Sequence, residues 1–182
     1  MLTLPLLWRT STAGSTARTL VEQVEPHLQP AVWAQLVAAS LALAIDGCLR
    51  RSGEHWRLIE EGGSRWRIND AVFLFFPRAD DAVLQKCRES ASGREEWTIL
   101  VPSKSSSALA AALQQLRPSR PPVVRPVETF IAMRVLFSSA DLGIGRDVSF
   151  IELLRHYNRR VSESAMAAGM RVDLNSATPR PN

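Results

Sequence analysis

The chain has 182 residues, of which 46% are hydrophobic and 22% are charged. These fractions are close to globular averages and exclude an intrinsically disordered chain, and the length is sufficient for one domain with a sizeable core. The formal net charge is +4, which is too small an excess of positive charge to require nucleic acid as a partner.

The first third of the chain predicts helices. Residues 1–16 are rich in Ser and Thr and predict a loose segment, and a short helix is expected over 17–28. The strongest helix prediction covers 31–51, because apolar residues recur there at three- and four-residue spacing. Those residues are Val32, Trp33, Leu36, Val37, Leu41, Ile45 and Leu49.

A β-hairpin is expected next. Trp56 and Leu58 alternate with charged neighbours, and residues 61–64 (Glu-Gly-Gly-Ser) have turn chemistry. The second arm alternates from Arg65 and runs into the apolar stretch 71–76, which predicts one long strand. Pro77 ends it.

Strands and helices then alternate to the end of the chain. The predicted order is helix 79–91, strand 97–101, helix 105–116, strand 123–124, helix 128–137, loop 138–147 and helix 148–162. Such alternation predicts parallel pairing with right-handed crossovers. The fold class is therefore α/β, with N-terminal helices, a β-hairpin and then βαβαβα with a mostly parallel sheet. We expect one domain over 17–174 and a flexible tail over 175–182.

The cysteines and the hydropathy bear on the compartment. Cys48 and Cys87 lie in separate apolar segments and are expected to be buried free thiols, which fits a reducing environment. No uninterrupted run approaches the ~18 apolar residues of a membrane span. We therefore predict a cytoplasmic protein without membrane contact.

Three carboxylates are candidate catalytic groups. If the second hairpin arm is continuous, Asp70 shares a face with Trp66 and Val72 and is partly buried, at a cost that a metal would offset. Glu60 is in phase on the first arm, and Asp46 lies on the preceding helix. Asp70 and Glu60 could hold Mg²⁺ for phosphodiester cleavage. The structural alternative is that Asp70 lies at a strand irregularity or pairs with an arginine.

Two further sets of residues could bind phosphate. Arg155, Arg159, Arg160 and Arg134 could contact a DNA backbone, although a solvated helix face explains them as well. The segment Ser103-Lys104-Ser105 follows a strand and opens a helix, where free N–H groups could hold a phosphate. Ordinary N-capping by serine is the alternative.

The chain carries an ordered series of short elements: Asn69–Val72, Lys86–Arg88, Ile99–Val101, Glu128–Ala132, Tyr157-Asn158 with Val161, and Arg171–Leu174. Together they resemble an uncharacterised bacterial restriction-associated family, whose members tend to be encoded beside DNA cytosine methyltransferases. The resemblance covers roughly residues 55–174, and Tyr157-Asn158 with Val161 is its most specific part.

The resemblance implies a DNA-directed component of a restriction–modification or phage-defence system, either a metal-dependent nuclease or a non-catalytic DNA-binding or assembly subunit. A phosphate- or nucleotide-binding domain is a third hypothesis.

The order of a helix, antiparallel strands, a helix and a strand is also that of the restriction-endonuclease core, which would need two turns before Pro77. Only one is evident. A histidine that relatives carry is absent from 73–76, Arg134 replaces an asparagine, and neither hairpin arm contains the lysine of nuclease motifs. The absent lysine and histidine favour the non-catalytic alternative.

Overall fold

A computed structural model describes residues 1–5, 8–62, 64–78, 80–90, 95–116, 122–164 and 168–175. The chain divides into two compact units. One comprises Met1–His55 with Ile131–Asn182, and the other comprises Trp56–Phe130. A single domain over 17–174 stays a prediction, and residues 176–182 of the predicted tail lie outside the described part.

The first unit is mainly helical. Its elements are β1 (Leu2–Thr3), α1 (Ala13–Glu22), α2 (Gln29–Ser52), most of α5 (Val127–Leu142), α6 (Arg146–Glu163), a 3₁₀ turn (Ala168–Met170) and β7 (Val172–Asp173). β1 and β7 form a two-stranded parallel sheet. The long helix α2 and the last helix α6 confirm the predicted helices 31–51 and 148–162 to within two residues at each end.

The N-terminal segment is more ordered than the sequence predicted. Leu2 and Trp8 are buried. α1 begins at Ala13 because the hydroxyl of Thr12 accepts a hydrogen bond from the Ser15 N–H at 3.1 Å. An N-cap of this type satisfies an N–H group that the helix itself leaves without a partner. β1 and the first turn of α1 therefore lie within the segment 1–16 that the sequence predicts to be loose.

Helix α2 is long and apolar enough to cross a membrane by length and composition alone, with a mean hydropathy of 1.7 over its best 18-residue window. A count of consecutive apolar residues misses this because Gln35, Ser40 and Asp46 interrupt the run. Of that window, 67% is buried inside the protein. This burial is typical of a core helix that is apolar on most sides.

The second unit contains the main sheet. Its elements are β2 (Leu58–Glu60), β3 (Arg65–Ile68), β4 (Ala71–Phe75), α3 (Asp81–Ser90), β5 (Glu96–Val101), α4 (Ser103–Leu116) and β6 (Val123–Pro126). The strand order is β2-β3-β4-β5-β6. β3 is antiparallel to both neighbours, whereas β4, β5 and β6 are mutually parallel. An α/β fold with a mostly parallel sheet is thus confirmed.

The continuous second hairpin arm predicted from the sequence is wrong. Asn69 and Asp70 form a two-residue turn between β3 and β4, and Ile68 pairs with Ala71 across it. Asn69 has a φ of 51°. This left-handed conformation suits asparagine because its short side chain tolerates αL.

The turn changes which side chains share a face. Directly paired residues of neighbouring strands point to the same side of a sheet. Trp66 pairs with Phe73, and Arg67 pairs with Val72. Trp66 therefore shares its face with Phe73. The uninterrupted alternation in the sequence had instead placed Trp66 on the same face as Val72.

Each face of the sheet has its own packing. Helices α3 and α4 cover one side of β5, where Ile99 and Val101 form a buried cluster with Val83, Cys87, Leu109 and Leu113. On the other side the rings of Phe73 and Phe130 lie 5.7 Å apart. Cys87 and Cys48 are buried free thiols, as predicted.

Candidate functional site

The candidate site lies where helices α2 and α6 pack against each other. His156 Nε2 lies 3.1 Å from Asp46 Oδ2, and Arg160 Nε donates to Gln35 Oε1 at 2.9 Å. The later of the two α2 residues, Asp46, contacts the earlier of the two α6 residues, His156. The two helices are therefore antiparallel. The seam between them therefore carries these two polar contacts, which we call the polar row.

Helix α6 has a mostly apolar buried side, which also includes the hydrogen-bonded side chains of Ser149, Tyr157 and Asn158. Phe150, Leu153, Leu154 and Val161 are buried. Residues at three- and four-residue spacing share a helix face, so Arg155 and Arg159 lie side by side on the opposite face. Both are exposed.

The charges on this outer face are mixed. Arg155 forms an ion pair with Glu152, one turn earlier, and its side chain is still 59% exposed. His156 is largely covered, with 14% of its side chain exposed. Arg134 is half-buried on α5, so the four predicted arginines do not lie on one helix. Of these four, Arg155, Arg159 and Arg160 lie on α6.

A cavity of about 180 Å³ opens beside the polar row. Its apolar wall comes from α2, from the end of α5 and from the start of α6, with Leu43, Leu142, Ile144 and Val148. Its polar rim consists of Asp46, Arg50, Glu152 and His156. The rim thus offers two carboxylates, a guanidinium and an imidazole around an aliphatic wall.

The structure does not give Asp70 the environment expected from sequence. Asp70 is exposed in the β3–β4 turn, so no burial cost calls for a compensating metal. Glu60 is also exposed, and its strand pairs it with Trp66 near the start of β3, whereas Asp70 follows the end of β3. At ~3.3 Å per residue the two backbone positions are on the order of 10 Å apart.

Asp46 belongs to the other compact unit, where it faces His156. Among the described residues, no group of three or more His, Cys, Asp or Glu side chains is placed to hold a metal ion. Within its own unit, Asp46 is therefore brought together with a histidine. Mg²⁺ binding at Asp70 and Glu60 stays a prediction without geometric support.

An ion network that the sequence analysis missed lies on the β3 face. Arg67 Nε donates to Glu61 Oε1 at 2.8 Å, and Arg67 also pairs with Glu95. Arg65 lies 2.5 Å from the second Glu61 oxygen, and its guanidinium stacks 5.1 Å from the Trp97 ring centroid. The hydrogen bond from Arg67, followed by the charges of both arginines, lowers the pKa of Glu61 against the opposing effect of desolvation. The alternation of Arg65 and Arg67 along the strand was the available signal.

The predicted phosphate segment at the start of α4 meets a carboxylate from the protein itself. Glu128 Oε2 accepts hydrogen bonds from Ser103 N at 3.1 Å and from Ser103 Oγ at 2.6 Å. Glu128 is 8% exposed. Since β5 and β6 are parallel neighbours, the residues that follow them meet at one sheet edge. A phosphate bound by Ser103, Lys104 and Ser105 would have to displace a buried negative charge, which argues against that reading.

Tyr157 and Asn158, the most specific part of the family resemblance, have structural partners. Tyr157 Oη donates to Met170 O at 2.8 Å, and Asn158 bonds to the backbone of Val172. Both side chains are buried. They attach the C-terminal strand to α6.

Comparison with known proteins does not extend these observations: no family model, curated protein or solved structure matches the chain.

Proposed function

We propose that the protein is a DNA-directed, non-catalytic component of a restriction–modification or phage-defence system. The observation that carries the proposal is the outer face of α6, where Arg155 and Arg159 are exposed one turn apart. Arginine side chains at this spacing can contact neighbouring phosphates of a DNA backbone. Backbone contacts of this kind bind DNA without reading its sequence.

The order of elements supports a nuclease-like scaffold. Helix α2 is followed by the three antiparallel strands β2, β3 and β4, and then by α3 and β5. The Asn69-Asp70 turn supplies the second turn before Pro77 that the restriction-endonuclease core needs. The assignment to a restriction or defence system rests on this order together with the family resemblance.

The positions of the acids favour the non-catalytic alternative over a metal-dependent nuclease. Asp70 and Glu60 are exposed and well separated, and neither β3 nor β4 contains a lysine. In this proposal the catalytic step belongs to a partner subunit, and this chain contributes binding or assembly.

DNA binding is tested by fluorescence anisotropy with a labelled duplex over a series of salt concentrations. We expect the double variant Arg155→Gln/Arg159→Gln to weaken binding and to reduce the slope of log K against log salt by about 2, since each phosphate contact contributes roughly 0.9. The control Arg57→Gln/Arg78→Gln removes two exposed arginines from the other unit and should leave the slope unchanged. Equal binding by both double variants would exclude α6 as the DNA-binding surface.

The non-catalytic role is tested separately by incubating DNA with the protein and Mg²⁺ or Mn²⁺. We expect no cleavage by the wild-type protein. Cleavage that is lost in Asp70→Ala would restore the nuclease reading and contradict this part of the proposal.

A further inference from the structure

The cavity between α2, the end of α5 and α6 has no role in backbone binding, although it adjoins the same helix. Its volume of about 180 Å³ is below the roughly 300 Å³ at which pockets for drug-sized ligands begin. It is still many times the roughly 10–15 Å³ that a cavity needs in order to hold one water molecule. The cavity therefore suits a ligand the size of one small ring system.

The chemistry of the lining restricts the class of ligand further. The wall of Leu43, Ile144 and Val148 suits the flat apolar face of a ring. The rim presents hydrogen-bond acceptors on Asp46 and donors on Arg50. A purely aliphatic group would fill the space but would cover these polar groups without bonding to them. A nucleobase has an apolar face and an edge that carries both donors and acceptors.

The position of the cavity beside α6 and the fixed orientation of the His156 ring both suit a nucleobase. His156 lies on the same helix as Arg155 and Arg159 and is one of the rim residues. Its imidazole is already oriented by Asp46 at 3.1 Å and is 14% exposed. A DNA strand whose phosphates lie along the α6 arginines would thus run beside the mouth of the cavity.

We propose that this cavity binds a single unpaired nucleobase, held against the aliphatic wall and hydrogen-bonded to the Asp46–His156 pair and Arg50. For a base within DNA the inference rests on the proposed DNA binding by α6. A free nucleotide could supply the same base, and the experiment separates the two sources.

The test uses two duplexes that differ in one position. One contains 2-aminopurine opposite an abasic site and the other contains 2-aminopurine paired with thymine. We expect the wild-type protein to bind the first at least about tenfold more tightly, because its base need not be unpaired. The fluorescence of 2-aminopurine should change only with the first duplex.

Val148→Trp places an indole at the mouth of the cavity and should abolish the preference while keeping affinity for the paired duplex. Val148 is 50% exposed, so the larger side chain need not disturb the core. Val123→Trp is the matched control, since Val123 is 46% exposed and does not line the cavity. Equal affinity for the two duplexes, or a preference that survives in Val148→Trp, would overturn the inference for DNA.

Free nucleosides provide the second arm. Each of the four is titrated at millimolar concentration while the ring resonances of His156 are followed by NMR. If the protein binds neither duplex, the proposed DNA binding has failed. Shifts of the His156 resonances that nucleosides cause in the wild type but not in Val148→Trp would then assign the cavity to the base of a free nucleoside or nucleotide. No DNA preference and no shift with any nucleoside would exclude a nucleobase site.

Discussion

The carboxamide of Asn158 bonds to both backbone polar groups of Val172. Asn158 Nδ2 donates to the Val172 carbonyl at 2.8 Å, and the Val172 N–H donates to Asn158 Oδ1 at 2.7 Å. The other edge of this short segment pairs with β1, where Leu2 N donates to Arg171 O at 2.7 Å. The side chain of Asn158 thus replaces a neighbouring strand on one edge of β7.

Substitution of Asn158 should therefore lower the stability of the protein. Asn158→Ala leaves a buried N–H and a buried carbonyl of Val172 without partners, and each such group costs about 1–3 kcal/mol. We expect a loss in the free energy of unfolding of that order, measured by denaturant titration. Tyr157→Phe takes the hydrogen bond from one group, Met170 O, instead of two and should therefore cost about half as much. A smaller effect for Asn158→Ala than for Tyr157→Phe would contradict this assignment.

The turn between β3 and β4 gives a second prediction. Asn69 has a φ of 51°, and a β-carbon in the left-handed region costs roughly 1–2 kcal/mol for residues without a compensating side chain. Asn69→Ala should lower the stability by about 1 kcal/mol, whereas Asn69→Gly should be nearly neutral. Thermal unfolding of the two variants checks this. Asp70→Ala, at the exposed neighbouring position, is expected to stay within about 0.5 kcal/mol of wild type.

This turn also shows where the sequence was sufficient and where it was not. Helix α2 and strand β5 follow from apolar periodicity, because their buried sides are set by local spacing. A two-residue turn without glycine leaves the apolar alternation nearly unbroken, so Asn69-Asp70 read as part of one strand. The error placed Asp70 on an apolar face and so produced the metal hypothesis.

The contacts of the candidate site could not be predicted because they join distant parts of the chain. Asp46 was a candidate as an acid, but nothing in the sequence indicated His156 as its partner. Their 3.1 Å approach depends on the antiparallel packing of α2 and α6. Periodicity shows which face of each helix is buried but not which residues lie opposite one another.

The Glu61 network predicts a dependence of stability on pH. Its pKa is lowered from the usual 4.5, chiefly by the hydrogen bond from Arg67, so the folded state favours the ionised form. The stabilising contribution is complete above the pKa of the unfolded state and is lost as the pH falls through the lower folded value. Glu61→Gln should therefore be less stable than wild type at neutral pH, with a difference that shrinks below about pH 4.5.

Urea titrations from neutral to acidic pH measure this difference. Glu22→Gln serves as a matched control because it removes an exposed carboxylate from α1. A wild-type advantage over Glu61→Gln that stays constant across the whole range would show that ionisation of Glu61 is not the cause.

Burial of Cys87 predicts low thiol reactivity. Desolvation raises the pKa of this thiol from 9.0 to about 11, so the nucleophilic thiolate is scarce near pH 8. Alkylation by iodoacetamide, followed by mass spectrometry, should be slow in the native protein and rapid in denaturant. Fast native labelling of Cys87 would mean that the cluster of α3 and α4 opens readily.

The contact between Glu128 and Ser103 separates the capping and phosphate readings of the α4 N-terminus. If the carboxylate is a cap, Glu128→Ala removes the buried acceptor of the Ser103 N–H and hydroxyl and should cost about 1–3 kcal/mol.

Inorganic phosphate should then leave the melting temperature of the wild-type protein unchanged relative to chloride at equal ionic strength, because the carboxylate already accepts from these donors. A specific stabilisation of wild type by phosphate that disappears in Ser103→Ala would show instead that an anion can displace Glu128. Glu128→Ala removes the carboxylate that accepts from Ser103, together with its negative charge. Phosphate should therefore restore part of the lost stability in this variant.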